Sequence, residues 1–317
     1  NNRILGGYYG ISLTGDMFHL FGCSNFNQIS NNTIRSFAYG GIHLEFNYGT
    51  LVEGNDISSP ERSTLANFYG IVANYSQAIR IYSNNIHSGG SSYGSAFGIV
   101  INECENLPGL VTEIVNNVIY DFPRATYGIS LNGWRLQNVN IYHNTVIIGS
   151  NGPVGTLRAV SIPGGYSAMS LNLFNNNLSI TGSGSGTGHC LYMLYGSVDY
   201  LSDHNNYHVS FTNNATGYVI RYGQQDHNTL ASWLPISGRD SMSVSIDPFV
   251  AQLQNGNLTP LSVQLDNLGV NRGVQFDFYG LPRNLNTPDI GAIEFLGYPT
   301  DLSVTGGRLK SGYCLSS

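Results

Sequence analysis

Tyr127-Gly128-Ile129-Ser130-Leu131-Asn132, followed by Ile141-Tyr142-His143-Asn144-Thr145-Val146, is one rung of a pattern that repeats along most of the chain. The second run reads apolar-x-x-Asn-x-apolar, and its asparagine recurs at Asn32, Asn55, Asn84, Asn117, Asn144 and Asn176. A truncated copy stands at Asn2-Arg3-Ile4 and a degraded one at Asn205-Asn206-Tyr207. The first run recurs as Gly10-Ile11, Gly41-Ile42, Gly70-Ile71, Gly98-Ile99 and Gly128-Ile129, then drifts to Ala159-Val160, Cys190-Leu191 and Gly217-Tyr218. Both markers advance by about 29 residues a step, a period that means stacked supersecondary units.

The composition of each unit decides which kind. Ile42-His43-Leu44, Ile99-Val100-Ile101 and Ile129-Ser130-Leu131 alternate with period two, are too short for helices and are bounded by Gly, Asn and Ser. No helical stripe or leucine-rich pattern is present, and a propeller blade needs more strands per repeat. The reading is an all-β, right-handed parallel β-helix of about eight coils with a C-terminal cap. At ~4.8 Å per rung such a stack is roughly 38 Å long. The recurrent Asn suits a sharp bend, because it tolerates left-handed backbone angles, and stacked amides can bond to one another along the rod.

The chain has 317 residues, only 10% of them charged, a net charge of −6 and a single lysine, Lys310, so the basic footprint of a nucleic-acid binder is missing. No apolar run is long enough to span a bilayer. Cys23, Cys104, Cys190 and Cys314 fall at different phases of the repeat, without metal spacing, and read as buried free thiols. Low charge with abundant Asn, Ser, Gly and Tyr suits an extracellular or bacterial cell-surface protein.

Coils are expected over residues 1–224, with projecting loops at 18–27, 58–67, 89–95, 103–109, 149–156 and 181–188. Tyr9, Tyr69, Phe97 and Tyr127 stand two before the inward apolar residue, so strict alternation places them on the inner face. The opposite face carries an outward polar strip of His43, Glu45, Asn74, Asn102, Asn132 and Trp134, the candidate glycan-binding surface. For catalysis the best constellation is Glu45 with Glu103 or Glu105, two rungs and about 10 Å apart, with His43 or Arg135 assisting.

From residue 225 the repeat stops. Trp233, Gly238-Arg239-Asp240-Ser241-Met242-Ser243, Asp247-Pro248-Phe249, Asp277-Phe278-Tyr279-Gly280-Leu281-Pro282-Arg283 and Asp289-Ile290-Gly291-Ala292-Ile293-Glu294 follow in order. This series resembles the C-terminal part of secreted right-handed parallel β-helix proteins of Bacteroidota, which often precedes an anchor or type IX sorting domain. The resemblance implies that residues 225–296 close the helix as a cap. Within that cap Arg283 is expected to pair with Asp247, Asp277, Asp289 or Glu294, since its planar fork binds carboxylates bidentately. No cofactor is expected; calcium, were it bound, would sit among these acids. Residues 297–317 read as a linker or the start of an immunoglobulin-like module, and the chain as a piece of a longer protein whose other domains are its partners.

Three functions remain open on the sequence. The first is a non-catalytic, adhesin-like rod that binds polysaccharide or cell-surface glycan. The second is a polysaccharide lyase or glycoside hydrolase, although the coils have no Lys base, no Asp-x-Asp cluster and no Gly-His-Gly or Arg-Ile-Lys motif of the β-helix enzymes. The third is a tailspike-like trimer.

Overall fold

The computed structural model describes residues 1–16, 24–61, 65–87, 93–122, 126–133, 136–150, 155–164, 170–183, 185–194, 199–252 and 256–296. Trp134, Arg135, Cys23, Cys314 and the segment after residue 296 lie outside them. Strand accounts for 53% of the described residues and helix for 4%, in a parallel β-solenoid.

Each coil adds a strand to three long sheets. Sheet A has seven strands, from Gln28–Ser30 through Arg80–Tyr82 to Tyr200–Asp203. Sheet B has eight, from Arg3–Leu5 through Asn85–His87 to Asn206–Thr212. Sheet C has nine, from Tyr9–Thr14 through Leu65–Asn74 to Ala215–Tyr222, with Gln225–His227 added antiparallel at its edge. Identical positions stack in register. In sheet C the column Ile11, Ile42, Ile71, Ile99, Ile129, Val160, Leu191 and Ile220 runs the length of the rod, and from Ile42 onward it is fully buried. The eighth inward pair is Val219-Ile220, two residues beyond the Gly217-Tyr218 that the sequence suggests. The Gly/Ser-rich stretch expected as a loop at 181–188 instead lies in strands Asn177–Ser183 and Gly186–Met193, which pair with their neighbours in the adjacent coils.

Between sheets A and B the chain turns at the repeating asparagine. Asn2, Asn32, Asn55, Asn84, Asn117, Asn144, Asn176 and Asn205 form an unbroken ladder, each Nδ2 donating to the Oδ1 of the next at 3.0 Å. The same Oδ1 of Asn84 also accepts the backbone N–H of Asn55, and Asn84 Nδ2 donates to Val52 O at 2.9 Å. The left-handed residue is the one before the ladder: Asn31, Gly54, Ser83, Asn116, His143, Asn175 and His204 all have φ between 51° and 63°. The ladder asparagine is thus kept for its amide, and the preceding residue carries the bend.

Sheet C departs from strict alternation at its glycines. A Cβ on Gly10, Gly41, Gly70, Gly98 or Gly128 would lie 2.2–2.9 Å from Ile34, Ile57, Ile86, Ile119 or Val146, so each glycine faces the core immediately before an apolar residue that also faces it. Two consecutive inward positions shift the phase by one. Tyr9, Tyr69, Phe97 and Tyr127 therefore stand on the outer face, where alternation alone places them inside. Their rings form a half-buried stack, with centroids 4.7 Å apart for Tyr39 and Tyr69 and 4.8 Å for both Tyr69–Phe97 and Phe97–Tyr127.

The C-terminal region divides into two parts. Helix Leu230–Ser237, capped by Thr229 and ended by left-handed Gly238, sets Trp233 against Tyr222 and His227 at the last coil. Buried Asp240 gathers four donors there: Trp233 Nε1 at 2.9 Å, Ser202 Oγ at 2.7 Å, Tyr207 OH at 3.1 Å and Ser243 Oγ at 2.9 Å. From Val250 the chain turns back along the side of the rod as a strap, where Leu258, Ala292 and Ile293 cover Val118, Tyr120 and Ile147 of sheet B. The segment Asp289-Ile290-Gly291-Ala292-Ile293-Glu294, expected to close the end, instead binds the flank through Gly291 N to Asn175 O at 2.7 Å and Ala292 N to Thr145 Oγ1 at 2.9 Å. The outer face of sheet B is apolar at these rungs and requires a cover, which the strap supplies.

Arg283 Nη1 bonds Glu294 at 3.0 Å, and Nη2 bonds Asn116 Oδ1 at 2.8 Å and Gly291 O at 3.0 Å. Asp277 and Asp289 are occupied by backbone N–H groups, those of Tyr279, Leu281 and Glu294 and those of Asn267 and Phe295 respectively. Asp247 lies elsewhere, caps Phe249 N and stands 3.9 Å from His208. Cys104 and Cys190 are buried free thiols, and burial pushes Cys104 up to about 12.

Candidate functional site

The polar strip of sheet C is in register: Thr14, Glu45, Asn74, Asn102 and Asn132 follow one another along the rod. Its hydrogen-bonding capacity, however, is largely engaged within the protein. Asn132 Nδ2 donates to Asn102 Oδ1 and Asn102 Nδ2 to Asn74 Oδ1, both at 2.8 Å. Asn74 Nδ2 meets His43 Nε2 at 3.2 Å, and His43 Nδ1 meets Ser12 Oγ at 3.3 Å. Burial lowers the His43 imidazole, against the pull of Glu45, so it is neutral at pH 7. The strip is a hydrogen-bonded cable whose four links pin five coils together.

The aromatic column beside it offers little stacking surface, since each ring face is covered by the next ring. At the ends Tyr9 stacks on His43 at 4.5 Å and the Arg158 guanidinium stands 5.3 Å from Tyr127. The proposed carboxylate pair also separates. Glu103 occupies a left-handed corner (φ 48°), and its carboxyl lies against Gly133 in the following coil, away from Glu45 two coils behind. Glu105 follows on the same turn. Among the described residues no three His, Cys, Asp or Glu side chains converge as a metal site requires.

A concave site lies on a different face. Residues 272–280 of the strap cross the outer side of sheet A and enclose a cleft of about 610 Å³. The rod contributes Glu53, Tyr82, Glu113 and Tyr142, which alternation turns outward from the buried column Val52, Ile81, Ile114 and Ile141; the strap contributes Arg272, Gln275 and Phe276. Tyr82 OH donates a hydrogen bond to Glu113 Oε2, and burial together with that carboxylate raises the phenol, so it stays protonated. Arg272 lies flat over the Phe174 ring at 3.4 Å, and Tyr142 meets the same ring edge-on at 6.2 Å. Asn116 Nδ2 holds the strap in place through Phe276 O at 2.7 Å. Phe276 and Tyr279 remain half exposed on the strap.

The cleft combines ring faces, carboxylates and amides, which suits a polyhydroxylated ligand: hydroxyls donate to carboxylates while the C–H faces of a sugar pack on rings. Sequence reasoning placed Asp277 in the cap and passed over Glu53, Tyr82 and Glu113. Their outward alternation was readable, but the strap that turns an open sheet face into a cleft was not. No protein family, curated protein or solved structure matches this chain. No helix among the described residues is long and apolar enough to cross a membrane.

Proposed function

We propose that this protein is an extracellular or cell-surface β-solenoid rod that binds a glycan, with the cleft between sheet A and the strap as its binding site. The observation that carries this reading is the juxtaposition of Tyr82, Tyr142 and Phe276 with the carboxylates of Glu53 and Glu113 in one concavity of about 610 Å³. That volume lies within the range of small-ligand sites and accommodates a short run of sugar rings. The lining is richer in acids than in bases, which favours neutral or amino sugars. Low charge and the likeness to secreted parallel β-helix proteins of Bacteroidota support the location. Binding is weak at each site and gains strength by repetition on a surface, because a half-open cleft leaves its contacts partly hydrated.

The test is a screen of neutral and amino oligosaccharides by NMR titration against wild type, Y142A and E53Q. Chemical-shift changes for residues 53, 82, 113 and 142, lost or weakened at least tenfold in both variants, support the reading. Binding unchanged in both variants refutes the site. A hydrolytic reading has one observation in its favour, the two carboxylates on one cleft; by register Glu53 and Glu113 are two rungs and two residues apart, about 12 Å between Cα atoms. New reducing ends produced by wild type and abolished in E113Q would establish it.

A further inference from the structure

The outer face of sheet C changes character along the rod. Through the first five coils its main column is aromatic except at Gly40, where the Tyr39 ring fills the stack, but the same column continues in register as Arg158, His189 and Tyr218, flanked by Ser161, Tyr192 and Arg221. The Arg158 guanidinium lies between two rings, 3.3 Å from the centroid of Tyr192 and 5.3 Å from that of Tyr127. This sandwich fixes its plane and turns its N–H edge sideways. Of its five donors one has a protein acceptor, Ser161 Oγ, at a long 3.4 Å, and among the described residues no carboxylate pairs with it.

The carboxylate of Asp226 nearby is already engaged. Asp226 accepts from His189 Nε2 at 2.9 Å and from Arg221 Nη1 at 2.8 Å. Arg221 also approaches Tyr192, 5.7 Å from its centroid, so two guanidinium groups flank one ring with a single counter-charge. Burial lowers the His189 imidazole, with Asp226 pulling the other way, so it adds no charge of its own. Three buried nitrogens here, Arg158 Nε, His189 Nδ1 and Arg221 Nε, lack a hydrogen-bond partner among the described residues, on three neighbouring rungs. These three atoms are covered by the protein, so what the unpaired cation offers a guest is the Nη edge of its guanidinium.

We infer that Arg158, with Arg221 beside it, forms a second binding site, for the carboxylate or sulfate group of an acidic saccharide. A planar fork held between rings suits a two-oxygen acceptor, and Tyr192 and Tyr218 offer ring surface for the sugar that bears it. The exposed hydroxyls of Thr187 and Thr216, on the same sheet edge, extend the polar surface along the rod. Since the whole protein carries a net charge of −6, diffuse attraction to polyanions is disfavoured, and retention by an acidic chain reports a local site.

The experiment is affinity electrophoresis in gels containing dextran sulfate, polygalacturonate or uncharged dextran, with wild type, R158Q, R158K and the distant R3Q. Expected is retardation of wild type by at least one acidic chain and not by dextran, weakened at least tenfold in R158Q, partly kept in R158K and unchanged in R3Q. Sulfate and uronate gels distinguish which acid is bound. No retardation of wild type by either acidic chain overturns the proposal, as does equal retardation of wild type and R158Q. R158K keeps the test open should R158Q fail to fold, because it retains charge and stem while losing the fork. The cleft on sheet A is read by different ligands and variants, so failure of either site leaves the other standing.

Discussion

At the residue scale this protein is governed by what the amide of asparagine can do twice over. Asn84 accepts two donors from Asn55 and gives one proton to Asn117 and one to a backbone carbonyl. Asn84→Ala takes the acceptor from the buried Asn55 backbone N–H and the side-chain donor from Val52 O, while Asn55 Nδ2 loses one acceptor and keeps Ile29 O. It is expected to lower stability by about 3 kcal/mol, read from denaturant midpoints; a change within experimental error would show that the ladder is ornamental. A second residue sets acid sensitivity. Burial by itself raises Asp56, but hydrogen bonds from His87 Nε2 at 3.1 Å and Arg35 Nη1 at 3.1 Å outweigh it and bring the carboxyl down to about 2. Because this lies below the unfolded value of about 3.9, the contribution is fully present above pH 4 and is lost as pH falls through about 2. The melting-temperature gap between wild type and D56N should therefore be widest above pH 4 and close towards pH 2. A gap that stays constant across that range would refute the assignment.

At the scale of elements the decisive relation is between the strap and the two sheet faces it crosses. It covers apolar residues of sheet B and stands over sheet A, leaving the cleft between. Arg283, whose side chain is fully buried, ties the C-terminal part of the strap, at Gly291 and Glu294, to the corner at Asn116. Arg283→Ala leaves Glu294 without its cation and Asn116 Oδ1 without its donor, and removing one member of such a pair costs about 3 kcal/mol or more. The expected result is strap release: limited proteolysis cuts R283A between residues 250 and 295 while the coils stay protected, and the cleft ligand is lost with it. Intact resistance in R283A would mean that Leu258, Ala292 and Ile293 hold the strap unaided.

At the scale of the whole molecule the rod behaves as a stack whose coils touch only their neighbours, so stability is lost from an end rather than at once. The C-terminal end is guarded by Trp233 and the four donors of Asp240. Trp233→Ala should fray the coils nearest it first. Hydrogen exchange is expected to accelerate over residues 200–222 while residues 71–101 keep their wild-type protection; uniform acceleration would show a single cooperative unit. The aromatic column, the amide cable and the asparagine ladder each run parallel to the axis and resist that fraying, because each links a coil to the next.

The sequence by itself determined the solenoid, its period, the inward apolar column and the asparagine ladder. All four follow from residues that interact with copies of themselves one period away, so the repeat carries its own contacts. It did not determine which side the tyrosines face. That is decided at Gly70 and its equivalents, where the closeness of Ile86 and its counterparts in the opposite sheet leaves no room for a Cβ and shifts the alternation by one. Nor did it determine the cleft. Arg283 and Asn116 stand 167 positions apart, and no local pattern records that the strap returns along the flank instead of sealing the end. Repetition writes neighbour contacts into the sequence, whereas a single long-range return is settled only when the apolar flank of sheet B finds its cover in space.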